Sequence, residues 1–186
     1  VWWFFLFWTP AYISDVYGFS SDTATAQLLI FVLYAITMFS IYGGKLPTII
    51  INKTGKDPYA ARMKAMFIFA LFPLLALFAQ PLGEISYWFP IIIIGIAGAA
   101  HQSWSANIYT VGSDMFPKSA VATIGSFLIN MGSGLLFDYA GRTNMAFFGF
   151  EGKEAGYFIV FCICAIAYML AWCIMKALVP KYKVIK

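Results

Sequence analysis

Charge is what this sequence has least of. Twelve Lys and Arg and eight Asp and Glu make up 11% of the 186 residues, where a soluble domain carries roughly 25%. A surface that poor in charge cannot be solvated, which excludes a water-soluble globular domain. The net charge of +4 is spread through loops instead of gathered into a basic stripe, so no nucleic-acid partner is expected. Histidine occurs once, as His101, and cysteine three times, as Cys162, Cys164 and Cys173. Cys162 and Cys164 are two apart and fall on different faces of a helix, so they read as small apolar residues, not as a metal pair. No phosphate-binding glycine loop, zinc-ligand spacing or nucleophile elbow occurs, and His101 has no carboxylate within its own apolar segment. Hydrolytic and phosphoryl-transfer chemistry find no support. The chain is expected not to be an enzyme and to need no cofactor or metal.

Apolar residues fill the space that charge leaves: 62% of the chain is hydrophobic and 19% aromatic, as suits spans bounded by interfacial belts. About 20 helical residues cross a bilayer core, and six stretches qualify. They are residues 1–17 with Pro10 inside, 23–42 closing at Gly43-Gly44, 61–80 with Pro73 inside, 85–111, 119–137 and 155–178. The expected fold is an all-α membrane protein of six transmembrane helices in a lipid bilayer. Val1 is no initiator Met and opens at once on an apolar run without the features of a signal peptide, so residues 1–186 read as part of a longer chain.

Loop charges give the orientation. Lys45, Lys53, Lys56, Arg62, Lys64, Lys118, Lys176, Lys181, Lys183 and Lys186 fall in one alternating set of loops, and only Arg142 and Lys153 in the other. By the positive-inside rule the first set is cytoplasmic, which puts Val1 and the C-terminus in the cytoplasm and the chain in the inner membrane.

No Asp, Glu, Lys or Arg lies near the middle of a span. The polar exception is His101, followed by Gln102, Ser103, Trp104, Ser105 and Asn107. Such a run must face a cavity or another helix, because lipid offers it no partners. His101, Trp104 and Ser105 share a face, while Gln102 lies about 100° round with Ala106 and Tyr109. Two roles stay open: recognition of a substrate, or hydrogen bonds that only tie helices together. Gly95, Gly98, Ala99 and Ala100 just upstream suit close helix packing. Trp8 and Tyr12, four apart beside Pro10, either face a cavity or pack as interfacial aromatics. Asn130 sits in a strip with Gly125, Ser126, Gly132, Ser133 and Gly134, which suits close helix approach as well as ligand contact.

Three stretches resemble a known family. Val1–Tyr12 is similar to the seventh helix of major facilitator transporters of the anion:cation symporter family, in its hexuronate branch. Ala99–Asn107, continuing through Ser113-Asp-Met-Phe-Pro-Lys118, resembles the tenth helix and the loop after it. Gly43-Gly-Lys-Leu46 through Gly55-Lys56 and Ala61-Arg62 resembles a degenerate copy of the superfamily's basic loop. After Ile124 the chain departs from the pattern, running straight into Gly125 with fewer residues, so that 119–137 spans only about 28 Å. The resemblance implies that residues 1–186 are helices seven to twelve, the C-terminal bundle, with an N-terminal six-helix bundle as partner. It implies uptake of an organic anion such as galacturonate or glucuronate, with a proton or sodium as coupling cation, by alternating access. Substrate contacts would then fall to His101, Gln102, Trp104, Ser105, Asn107, Trp8, Tyr12 and Asn130. The cationic clamp for a carboxylate is expected from the N-terminal bundle, since this half has no mid-span Lys or Arg. A six-helix structural or assembly protein without transport activity is the alternative.

Overall fold

Helices dominate the computed structural model, which describes residues 1–115 and 124–180, and the side chains of these except Trp3 and residues 112–130. The expectation for the loop at Lys118 lies outside the described residues. Helix α1 runs Trp2–Tyr17 with Pro10 inside and stops at Gly18, whose φ of 69° is the left-handed conformation that glycine tolerates best. Helix α2, Ala24–Thr37, is capped by Thr23, whose hydroxyl accepts from the Ala26 N–H. It is followed by a short α3, Ser40–Gly43, and by α4, Leu46–Thr54. Helix α5, Pro58–Leu71, opens on Asp57 as a cap for the Ala60 N–H with Pro58 at its first position. It passes into a 3₁₀ helix, Phe72–Phe78, and then α6, Ala79–Gly83. Helices α7, Trp88–Met115, α8, Ile124–Thr143, and α9, Gly152–Leu178, complete the chain.

Several sequence boundaries are corrected. Gly43-Gly44 does not end the second apolar stretch: helical segments continue from Ala24 to Thr54, 31 residues in all. The segment expected as a basic loop is therefore mostly the helix α4, and only Gly55, Lys56 and Asp57 separate it from α5. The reason for the glycine is proximity. A Cβ on Gly43 would lie 1.9 Å from the Ser103 hydroxyl oxygen and 2.4 Å from the Ser103 Cβ, so Gly43 lets α3 lie directly against α7. Pro73 does more than kink its helix. It removes a main-chain donor and crowds the preceding turn, and seven residues take the tighter 3₁₀ winding. The helical run also passes the expected end at residue 80, with Pro81 inside α6. At the other end of α8 the helix runs past Phe137 to Thr143, so Asp138 and Arg142 sit in its last turns, not in a loop.

The linker to α9 is a hairpin, not helix. Strands β1, Ala146–Phe147, and β2, Phe150–Glu151, pair antiparallel. Phe148 and Gly149 between them both have positive φ, as a two-residue hairpin turn of this hand requires.

By length and composition, three stretches can each cross a membrane: Ala24–Thr54, Pro58–Gly83 and Gly152–Leu178. Helix α9 shows how the chain divides its faces. Phe161, Cys164, Ala165 and Tyr168 are buried, while Ile163, Ile166, Leu170 and Ile174 form an exposed stripe. Spaced by three and four residues, that apolar stripe follows one helix face. In water it would be an aggregation liability; against lipid it is an ordinary surface. The architecture is that of an all-α membrane protein whose only strands among the described residues are the two-residue pair.

Helix α7 is central, packed against α2, α3, α5, α6 and the 3₁₀ helix. Small residues make this possible: Gly95 faces Ile36, and Gly98 faces Thr37 and Trp2 at distances a Cβ would violate or crowd. Two apolar cores form around α7, apart from a small third cluster of Phe150, Ala155 and Phe158 beside the hairpin. One gathers Phe4, Phe5, Tyr12, Leu29, Ile91, Ile94, Tyr157 and Phe161. The other gathers Met63, Met66, Phe69, Ala100, Trp104 and Tyr168.

Candidate functional site

The second core contains the polar run of α7, and the helix periodicity sorts that run into a packed face and an open one. Ser103 and Asn107 are four apart and both 3% exposed. The Ser103 hydroxyl donates to the Ala99 carbonyl at 2.9 Å and reaches the Ser40 carbonyl at 3.3 Å. The Asn107 amide donates to the Ser103 carbonyl at 2.8 Å. These two residues join α7 to itself and to the start of α3.

His101 lies half-buried where α1, α7 and α9 meet. Its Nδ1 is hydrogen-bonded to the Tyr168 hydroxyl of α9, and its Nε2 lies 3.3 Å from the Ser105 hydroxyl. The Trp2 indole of α1 stacks on the imidazole with centroids 5.6 Å apart and planes 3° from parallel. Both partners are hydroxyls, able to donate or to accept. A neutral ring can use one nitrogen as donor and the other as acceptor, and a protonated ring can donate from both. The network therefore accommodates a proton at His101 by turning one hydroxyl from donor to acceptor, with no heavy atom moving.

Trp104 completes the cluster, edge-on to Tyr168 at 5.4 Å. It is 8% exposed, and its indole N–H is buried without a hydrogen-bond partner. Buried donors are nearly always paired, because an unpaired one forfeits its hydration for nothing. Here the orphan donor belongs to a ring packed on Tyr168, the residue that is bonded to His101. The open face of α7 carries Gln102, Ala106 and Tyr109, all exposed. Gln102 is exposed, while Ser105, three residues on along an adjoining strip of the helix, is half-buried beside His101.

The first-helix candidates lie elsewhere. Tyr12 is 1% exposed and packs edge-on against Tyr157 and Phe161 of α9, its hydroxyl 3.1 Å from that of Tyr17. Trp8 lies edge-on to Phe137 of α8 at 4.9 Å and close to Gly134. Trp8 thus packs toward α8 and Tyr12 toward α9. The side chain of Asn130 lies outside the described residues. Two contributors were missed in the sequence: Trp2, not singled out within Val1–Tyr12, and Tyr168, 67 residues from His101. Local spacing signals neither, since both are brought in by helix packing.

A second polar centre stands at the far end of α1. Asp15 accepts from the Tyr157 hydroxyl at 2.9 Å and pairs with Lys153 at 3.2 Å. Beside it a cavity of about 380 Å³ is lined by Val16, Tyr17, Gln80, Glu84, Tyr87 and Glu154 among others. Among the described residues no group of His, Cys, Asp or Glu is placed to hold a metal ion.

No protein-family model matches the chain, and no solved structure matches it. Among curated proteins it is similar to the hexuronate transporter of Escherichia coli K12, 28% identical over 126 residues, covering 66% of this chain and 28% of that protein. The hexuronate transporter of Escherichia coli O157:H7 matches with the same identity and coverage. The matched stretch thus spans little more than a quarter of the length of these relatives, and the likeness is to transporters, not to enzymes.

Proposed function

We propose that this chain is one half-bundle of six membrane-spanning helices in a secondary transporter of an organic anion, with a hexuronate such as galacturonate or glucuronate as substrate. The observation that carries the proposal is the buried, partnerless indole N–H of Trp104, whose ring packs on the Tyr168 that is bonded to His101. A stationary orphan donor destabilises the protein and is useful only when an acceptor arrives. A carboxylate or a ring hydroxyl of a sugar acid is such an acceptor. The similarity to hexuronate transporters supports the same substrate class.

In this scheme the fragment is the C-terminal bundle in the inner membrane, with both ends cytoplasmic. Alternating access would come from rocking against an N-terminal six-helix bundle. His101 holds the coupling proton, since both its nitrogens face rotatable hydroxyls, with sodium as the other candidate cation. Gln102 and Ser105 recognise hydroxyls, Gln102 from the open face of α7. Asn107 supports the wall through Ser103. A carboxylate also needs a cation near mid-membrane; no Lys or Arg of this chain supplies it, so the partner bundle does.

The test is proton-driven uptake of labelled glucuronate and galacturonate by the full-length protein. His101→Ala and Gln102→Ala should each lower uptake about tenfold or more at unchanged membrane abundance, the scale of one lost hydrogen bond to the substrate. Wild-type uptake by both variants would sink the assignment. A second reading, a structural membrane protein, draws on the fact that His101, Ser103 and Asn107 all have partners within the chain. It expects no uptake from the wild type at all.

A further inference from the structure

We infer that the cavity between the end of α1, the α6–α7 turn and the start of α9 is a binding site for a primary ammonium group. Its lining combines three features that one ligand chemistry explains. Glu84 and Glu154 supply two carboxylates, and no Lys, Arg or His is among the residues that line it. Tyr17 and Tyr87 contribute aromatic rings set edge-to-face at 6.2 Å, a lining that attracts a cation through the ring quadrupoles.

The third feature is independent of the acidic pair. Gln80 is 3% exposed, yet its Oε1 has no hydrogen-bond partner, while its Nε2 donates to the Glu154 main-chain carbonyl at 2.9 Å. That bond fixes which end of the amide is which: the nitrogen is committed, and the oxygen is left as an orphan acceptor. The fold maintains this corner at close quarters. A Cβ on Gly83 would lie 2.3 Å from the Tyr17 hydroxyl, so glycine is what lets Tyr17 close the wall.

Carboxylates and an amide oxygen need a ligand that donates and carries positive charge. A bare metal ion is disfavoured, because no ligating cluster is assembled there, and a volume of about 380 Å³ is in the range of small-molecule sites. A quaternary ammonium would satisfy the rings but leave Gln80 Oε1 unpaired. A primary ammonium, with three N–H donors, satisfies both. Such a group comes from a free amine or from an ethanolamine lipid headgroup, as the cavity lies at one end of the bundle.

The inference does not rest on transport: His101 lies 13 residues into α7 from Trp88, about 20 Å along the helix, and the readout is binding. The full-length protein would be placed in phosphatidylglycerol nanodiscs and its thermal unfolding followed with ethylammonium chloride. Tetramethylammonium chloride and sodium chloride at equal ionic strength serve as controls. Ethylammonium should raise the midpoint saturably and the controls should not. Glu84→Gln, at an exposed position that tolerates substitution, should raise the half-saturating concentration about tenfold, and Gln80→Met should do the same. Nanodiscs containing phosphatidylethanolamine separate the sources: a raised midpoint with no further response to ethylammonium marks the headgroup, and an unchanged response marks the free amine. Equal stabilisation by tetramethylammonium or sodium, an unaltered response in Glu84→Gln, or no effect of either amine source overturns the inference.

Discussion

The two polar centres of this chain, one midway along α7 and one at α6 and the turn that follows it, carry opposite defects. Near His101 the unpaired buried group is a donor, the Trp104 indole N–H; in α6 it is an acceptor, Gln80 Oε1. The first centre is enclosed by Trp2, Tyr168 and the second apolar core, and no carboxylate is among its partners. The second borders a cavity with Glu84 and Glu154. A fully paired polar network rigidifies a fold, whereas one left short by a single bond is poised for a ligand of the missing type. On the two proposals above, the sign of the missing bond would separate a centre that takes an acceptor from one that takes a donor.

The largest effect is expected where the first centre is braced. Gly43→Ala sets a methyl group inside the Ser103 side chain, and because the nearest atoms include the Ser103 Cβ, no rotamer change relieves the contact. Overpacking of this kind costs about 3 kcal/mol. Gly44 has open space by comparison, its nearest contact being a carbonyl at 3.9 Å, so Gly44→Ala should cost less than about 1 kcal/mol. Thermal unfolding of the two variants measures the difference, and equal destabilisation would show that α3 is not seated on α7 as described.

Smaller but more diagnostic is Trp104→Phe. It keeps an aromatic ring against Tyr168 and deletes the orphan donor. If that donor exists for a ligand, stability should hold within about 1 kcal/mol, because no native hydrogen bond is lost. Affinity for the sugar acid should meanwhile fall about tenfold. Unfolding midpoints and a binding titration on the same preparations decide it. A large loss of stability with unchanged affinity would make Trp104 a packing residue and remove the contrast between the two centres.

How much of this was legible in the sequence follows from the range of each interaction. The membrane class came from composition, and the polar run of α7 from the intrinsic expense of burying His101 and its neighbours. Helical phase separated Gln102 from His101 before any coordinates. Tyr168 and Trp2 were not legible, since nothing local marks a residue 67 positions away as the partner of His101. Gly43 was misread for a related reason: a glycine pair looks like a stop signal, but here it answers a neighbour across the interface. Tyr12 stayed open between a cavity and aromatic packing in the sequence, and it is buried against Tyr157 and Phe161 in the first core. Three-residue boundary shifts, as in α9 beginning at Gly152, come from the hairpin before it, whose left-handed Phe148 no apolar pattern reveals.

The smallest effect concerns what holds the cavity end together. Asp15 has two partners of different kinds: the exposed ammonium of Lys153 at 3.2 Å and the hydroxyl of Tyr157, a residue with no exposed surface, at 2.9 Å. An exposed ion pair contributes little, because water solvates both charges when it opens and the long lysine chain loses freedom when it closes. A hydroxyl buried beneath it cannot reach water, so deleting it leaves the carboxylate short of a partner. Tyr157→Phe should therefore cost about 1 to 2 kcal/mol, and Lys153→Ala about 0.5 kcal/mol or less. Raising the salt concentration should shrink the lysine effect and leave the tyrosine effect in place. Unfolding of the two variants at low and high salt reads both. A larger, salt-sensitive loss from Lys153→Ala would mean that this end of the bundle is closed by charge, not by a buried hydrogen bond.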